Sequence, residues 1–339
     1  MSKHQRQNGF TIIELLAVVV VLGILATIFG PTIGQMFGLS TRSRIQEANV
    51  TNRMIADSLI EYARTQTATA SLPAPYTGNG YTSTVYNPAE TTNSMGATLT
   101  SLFNQAGLNT NAINDDGSAG QRVRVYQRVP SLTLDTPLYF NTGDKVTLTY
   151  DVGVVYSTDC NKVDGACMTA GIPGNSAVLT SGNVSTWSPS QYDYGAQIFS
   201  TLPLQKSMLA TTADRLNKIR DAILNNTRDK QRIAAADLTV NFMPQPTTIR
   251  NNAAPVQGCW EGWYNLSLAN ETILNQIGLN PATDGVTAWG KQIEFCRDYD
   301  AGSGVANTVP HYGALRIGKD VANSGPSTTV QSSNLFLTF

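Results

Sequence analysis

The stretch GFTIIELLAVVVVLGILATIFGP, residues 9–31, decides how this chain is read. It is apolar almost throughout, yet Glu14 lies near its start. Phe10 to Phe29 is long enough to cross a hydrocarbon core as a helix. A lone carboxylate inside such a segment costs about 2.5–3.5 kcal/mol even on a lenient insertion scale. Before it stands only MSKHQRQNG, polar and basic, and Lys3 and Arg6 favour an N-terminus inside with the rest outside. A secretory signal peptide would be cut after the apolar run, at small residues in an A-x-A arrangement. The sequence ATIFGPTIGQMFG at that place is a poor site. A plain membrane anchor leaves Glu14 without a reason.

A cut before the apolar run supplies the reason. Cleavage after Gly9 frees an amine on Phe10, four residues before Glu14. The amine of one subunit can then pair with Glu14 of a neighbour as their helices pack side by side. A paired carboxylate is tolerated in apolar surroundings where a lone one is not. The residues GFTIIELL resemble the processing site of type IV prepilins and type II secretion pseudopilins. Gly9 matches the position before the cut, Phe10 the N-methylated first mature residue, and Glu14 the assembly glutamate. Pro31 matches the proline that kinks the same helix in many pilins. The resemblance implies a dedicated prepilin peptidase, other pilin or pseudopilin subunits and an inner-membrane assembly platform as partners. It also implies a single-pass inner-membrane precursor with a periplasmic globular part, later in a cell-surface pilus or periplasmic pseudopilus. Its close part covers about residues 1–35, and the helical pattern carries it to about residue 65.

Composition agrees with export. Charged residues make up 14 % of the 339 residues, and the formal net charge is -1. Loss of a leader carrying Lys3 and Arg6 makes the balance more acidic still, so no basic field is left to hold nucleic acid. Gly30, Pro31 and Gly34 are poor helix residues and predict a kink or melted turn after the apolar run. Beyond it, Ile45, Ala48, Ile55, Leu59 and Tyr62 fall on one helical face, with most charges elsewhere. That predicts an amphipathic continuation of the helix, ending near Arg64, before LPAPY.

Further on, the chain repeats itself. LFNQAGLN at 102–109 recurs as ILNQIGLN at 273–280, and LPAPY at 72–76 recurs as MPQPT at 243–247, both at an offset of 171. ADSLIEYAR at 56–64 aligns with RDAILNNTR at 220–228, so Ile55 and Leu59 map onto Ile219 and Ile223. Strands are predicted at Val123–Val129, with Val123, Val125 and Val129 on a buried face opposite Arg122, Arg124, Tyr126 and Arg128. Others are predicted near 145–157, near 313–318, within DGVTAWGKQIEFCRDY and at NLFLTF. The stretch at about 185–203 reads as a connection, and a second, soluble helix starts near PLQKSML. The expected fold is α+β: a long N-terminal helix packed on an antiparallel sheet, followed by a second module of the same kind. That order resembles the pilin fold. The expected organisation is a leader at 1–9, a helix at 10–64 with its membrane part at about 10–34, and modules at 65–200 and 201–339.

Four cysteines in an exported chain read as disulfides. Three connectivities exist, and Cys160–Cys167 with Cys259–Cys296 is favoured because each pair lies inside one module. The histidines, His4 and His311, and the cysteine spacings fit no zinc pattern. No G-x-S-x-G elbow, P-loop or H-E-x-x-H is present, so no enzyme is expected. No cofactor is expected either, calcium being the weak exception. Asp159, Asn161 and Asp164, and Asp298 and Asp300, offer oxygen ligands in glycine-containing loops, although such residues also simply build turns. NDDGSAG, with Asn114, Asp115 and Asp116, is of the same kind. Trp187, Trp260, Trp263 and Trp289 are expected in cores rather than in a ligand site. The functional expectation is a minor pilin or pseudopilin that inserts its N-terminal helix into a fibre. The alternative is a tip-displayed adhesin or binding protein, for a surface, DNA or phage, on the same anchor.

Overall fold

The computed structural model describes residues 42–66, 69–75, 101–108, 123–139, 144–158, 168–169, 172–174, 176–191, 193–234, 237, 239–250, 255–300 and 311–339. Helix α1 spans residues 42–65, and a short helix α2 spans residues 101–105. Strands β1 (Val123–Pro137), β2 (Lys145–Thr158) and β5 (Asp193–Ser200) form an antiparallel sheet in the order β1-β2-β5. Met168–Thr169 (β3) and Ile172–Pro173 (β4) pair in a small ribbon. Then come α3 (Leu202–Ile233), β6 (Tyr264–Asn265), α4 (Ile273–Gln276), α5 (Pro281–Asp284), β7 (Glu294–Cys296), β8 (Ala314–Gly318) and β9 (Asn334–Thr338). The second sheet is antiparallel in the order β6-β7-β8-β9. The expected α+β character, with antiparallel sheets and a long helix, is what the chain adopts.

Helix α1 lays Ile55, Leu59, Tyr62 and Ala63 on one face of the first sheet, against Tyr126 and Val155, with Leu72, Phe103 and Leu108 closing the core. The opposite face of that sheet is also covered. Val125, Val129, Val152, Val154 and Tyr156 pack with Leu179 and Trp187. The period-two reading of β1 as half-buried is therefore corrected: Tyr126 lies in the α1 core while Val125 and Val129 lie in the other. A strand buried on both faces need not alternate polar and apolar residues. The stretch 185–203, read as a connection, carries β5 and so supplies the third strand of this sheet. Its residues alternate weakly because β5 is only half-buried along most of its length.

The 32-residue α3 opens at Leu202, where Pro203 sits in the first turn, a place that needs no backbone donor. Its stripe of Leu209, Leu216, Ile219 and Ile223 packs on Tyr264, Phe295, Leu315, Ile317 and Leu335 of the second sheet. Leu138, Val146 and Leu148 belong to the same core. Strand β2 thus begins in the core around α3 and ends between the two cores of the first sheet. The core is continuous across residue 200. Thr147 also pairs with Asp320, and the Thr147 N–H donates to the Lys319 carbonyl at 2.9 Å. The strand predicted within DGVTAWGKQIEFCRDY reduces to the three residues of β7, because α5 and the Val286–Gln292 bridge occupy the residues before it.

Candidate functional site: the assembly helix and its seat on the head

The processing and assembly residues Gly9, Phe10, Glu14 and Pro31 lie outside the described residues. What is described is the seat of the helix that continues from them. Along α1 the sheet-facing positions are Ala48, Asn52, Ile55, Ala56, Leu59, Tyr62 and Ala63, spaced three or four apart as a helical stripe requires. Ile45, placed on that stripe from sequence, is 39 % exposed, because residues 42–47 extend beyond the sheet.

Two residues that sequence reasoning passed over fix the seat. Asn52 is fully buried, and its amide donates to the Gly195 carbonyl at 2.9 Å and to Ser157 Oγ at 3.2 Å. Its carbonyl oxygen accepts from Arg124 Nε at 2.7 Å. A buried amide with every partner present fixes register, since any slip leaves polar groups unpaired. Gly195 is the complementary element on β5. Its φ is +65°, and a Cβ built there would stand 3.0 Å from the Ala48 carbonyl carbon. Only glycine lets helix and strand approach so closely. The signal was present as a polar residue interrupting an apolar stripe, but its partner, 143 residues away, is invisible in a linear pattern.

A second polar hub lies where the head units meet. The Asp151 carboxylate is 4 % exposed and pairs with Arg128 Nη2 at 3.0 Å. It also accepts from the N–H groups of Leu72, at 2.8 Å, and Ser131, at 2.9 Å. Ser131 has φ +59° and sits in the register shift between Val129 and Leu132, so Asp151 holds a β-bulge in place. The Asp151 N–H donates to Thr201 Oγ1 at 2.9 Å, at the start of α3. From there Gln205 donates to the Thr69 carbonyl and accepts from the Trp289 indole at 2.7 Å. Tyr139 donates to the Ala213 carbonyl of α3 at 3.4 Å. Burial first, opposed by Arg220 and supported by Asp214, pushes its phenol up to about 12.

Of the two favoured disulfides, Cys259–Cys296 is formed, with a Cα–Cα distance of 5.9 Å. Cys160, Cys167, Asp159, Asn161 and Asp164 lie outside the described residues, as do His4 and the NDDGSAG loop. Asp298 faces His311, Oδ1 to Nδ1 at 3.3 Å, and the Asp300 N–H donates to the Gly258 carbonyl. Among the described residues, no group of three or more His, Cys, Asp or Glu is placed to hold a metal. Trp187, Trp263 and Trp289 are buried. Trp263 stacks in an aromatic triangle with Tyr299 and Phe336 and lies under the Arg316 guanidinium, 4.3 Å from its ring centre. Trp260 is half-buried with no hydrogen-bond partner for its indole N–H.

Among the described residues, no helix is long and apolar enough to cross a membrane, and the apolar segment 10–29 lies outside them. Comparison with family models matches residues 4–30 to the prokaryotic N-terminal methylation motif. No curated protein and no solved structure matches the chain. The motif implies processing by prepilin peptidase, a membrane-anchored precursor and assembly with other pilin subunits. On that motif, joined in sequence to a helix seated on an antiparallel sheet, the chain carries the signature of the type IV prepilin and pseudopilin family, whose members are structural rather than catalytic proteins.

Proposed function

We propose that this chain is a minor pilin or pseudopilin, cut between Gly9 and Phe10, methylated on Phe10, and inserted into a fibre through its N-terminal helix. The observation that carries this reading is the methylation motif at residues 4–30, set ahead of a helix whose apolar face is locked on the head. In the assembled fibre, Glu14 of one subunit pairs with the Phe10 amine of a neighbour. That pairing offsets the cost of a carboxylate in apolar surroundings and makes assembly the state in which its charge is neutralised.

The head is read as two pilin-like units in tandem. Support comes from the two copies of the NQ-x-GLN block. In both, a short helix ends on a glycine at positive φ, +78° at Gly107 and +74° at Gly278. In both, the next leucine returns its N–H to a carbonyl five residues back at 2.9 Å, Leu108 to Phe103 and Leu279 to Leu274. Phe103 and Leu274 are each 1 % exposed, so the same step of the block fills each core. Each block precedes an antiparallel sheet covered by a longer helix, α1 or α3. A head of this bulk is hard to repeat along every subunit of a tight helical fibre, which favours a minor component over the shaft.

The test is Glu14→Leu in the full-length chain. Membrane insertion and cleavage at Gly9 are expected to persist, while recovery in sheared fibres falls at least tenfold. Fibre recovery equal to the native chain would overturn the role given to Glu14.

A further inference from the structure

Strand β9 (Asn334–Thr338) is the outer strand of the second sheet, and among the described residues nothing pairs with its far side. The alternation of its ladder follows from one pair. Gly313 and Phe339 exchange both hydrogen bonds, at 2.8 and 2.9 Å. Every second residue then faces β8, so Leu335 and Leu337 spend their backbone groups inward. The N–H and C=O of Phe336 and Thr338 point outward. Asn334 adds only its carbonyl, since its N–H bonds to Gln331.

Edges of this kind are usually blunted. The first sheet follows that rule. Its edge strand β1 carries Pro130, Asp135 and Pro137 and is broken by the bulge between Val129 and Leu132. Its other edge, β5, has a register shift and is approached by α1 at Gly195. In the second sheet, β6 is two residues long. Strand β9 has no proline, no charge and no bulge.

What fits this edge is written in its own sequence. Asn334-Leu335-Phe336-Leu337-Thr338 is a near-palindrome about Phe336. An antiparallel copy centred there sets Phe336 against Phe336 of the second copy, each leucine against a leucine and Asn334 against Thr338. The outward groups also match. Each Phe336 N–H meets the other copy's Phe336 carbonyl, and each Thr338 N–H meets the other copy's Asn334 carbonyl. The one backbone donor already used, on Asn334, leaves no clash with that pattern. Like charges across such a pair would oppose it, and β9 has none. Phe336, half-buried against Trp263, gains its symmetry mate as a cross-strand aromatic neighbour. We propose that two copies of this chain associate through antiparallel β9–β9 pairing, which doubles the four-stranded sheet and closes its open edge by a two-fold axis. This does not rest on the N-terminal helix or on the role of Glu14.

The experiment uses the full chain extracted in detergent, with self-association measured by sedimentation equilibrium over a wide concentration range. Thr338→Pro removes an outward donor on an exposed residue and costs β8 no hydrogen bond. By symmetry it deletes a bond on each side of the axis. The dimer dissociation constant is expected to rise about 30-fold, with the thermal melt unchanged. In a second arm, Phe336→Cys places the two introduced thiols at a hydrogen-bonded pair, with Cα atoms about 5.5 Å apart, inside disulfide range. Peptide mapping should then recover a 336–336 link, while Tyr312→Cys, exposed but off this edge, gives no such dimer. A native chain that stays monomeric throughout, an unchanged constant in Thr338→Pro, or a Phe336→Cys product without the 336–336 link would each overturn the proposal.

Discussion

The two helix–sheet units solve one packing problem with different means. The first has long strands, 15 residues in β1 and 14 in β2, and buries its sheet on both faces. Its fixed points are uncharged or singly charged hubs: Asn52 under α1 and Asp151 beside the bulge. The second unit has strands of two to five residues, too short to be independently stable ladders. Its inner face packs on α3, while its outer face holds the Cys259–Cys296 disulfide and a buried ion pair. Arg316 Nη2 meets Glu294 Oε2 at 2.6 Å, and Gln257 and Asn334 complete the network. Burial depresses the Arg316 pKa and Glu294 opposes that shift, the balance expected of a charge kept only because its partner is present. Where ladder length falls, covalent and ionic constraints take over.

The sharpest way to break this contrast is at Asp151. Asp151→Ala leaves Arg128 buried without its carboxylate and strips the acceptor from the Leu72 and Ser131 N–H groups. Removing one member of a buried pair typically costs about 3–5 kcal/mol. Urea unfolding should show a loss of that size. Hydrogen exchange should rise in both units, because Asp151 ties β2 to Thr201 at the head of α3. Faster exchange confined to the first unit would mean that the two cores are not coupled through this hub.

Next in size is the disulfide. Cys259→Ser with Cys296→Ser opens a loop of sequence separation 37, and the expected loss is about 3–4 kcal/mol. The effect should be local. Exchange should quicken across β6–β9 and the aromatic triangle of Trp263, Tyr299 and Phe336, with β1 and β2 little changed. Equal loosening of the first sheet would erase the proposed difference between the units.

The same contrast explains what could be read from sequence. Long elements announce themselves. The helical stripe through Ile55, Leu59 and Tyr62 and the strand at 145–158 needed only local periodicity. The N-terminal motif was legible because its signal, an apolar run with one carboxylate, is written in consecutive residues. The β5 strand was not, because a half-buried edge strand flanked by Ser and Pro looks like a connection. Nor could β7 be bounded, since its three residues are strand only through partners in β6 and β8. The sharing of Leu138, Val146 and Leu148 with the core around α3 is likewise a tertiary fact, set by the twist and length of β2.

The smallest effect tests the joint between the units. Tyr139 follows β1 and reaches the backbone of α3 at Ala213, so its phenol is buried where the first sheet meets the second core. With a folded pKa of about 12 against a usual value of 10.0, the folded chain keeps this proton over a range where the unfolded chain has lost it. The unfolded state then binds fewer protons, and stability falls as pH rises from about 10 to about 12. Below pH 10 both states hold the proton and nothing changes. Tyr264, also pushed up to about 12 by its burial, contributes a parallel slope that a change at Tyr139 leaves in place. Tyr139→Phe should therefore leave stability at pH 7 almost unaltered, because the lost hydrogen bond is long at 3.4 Å. Between pH 10 and 12 its urea midpoint should decline less steeply than the native one, by an amount on the order of 1 kcal/mol once solvent screening is allowed for. Identical slopes would place the Tyr139 phenol in water, and with it the seam between α3 and the end of β1.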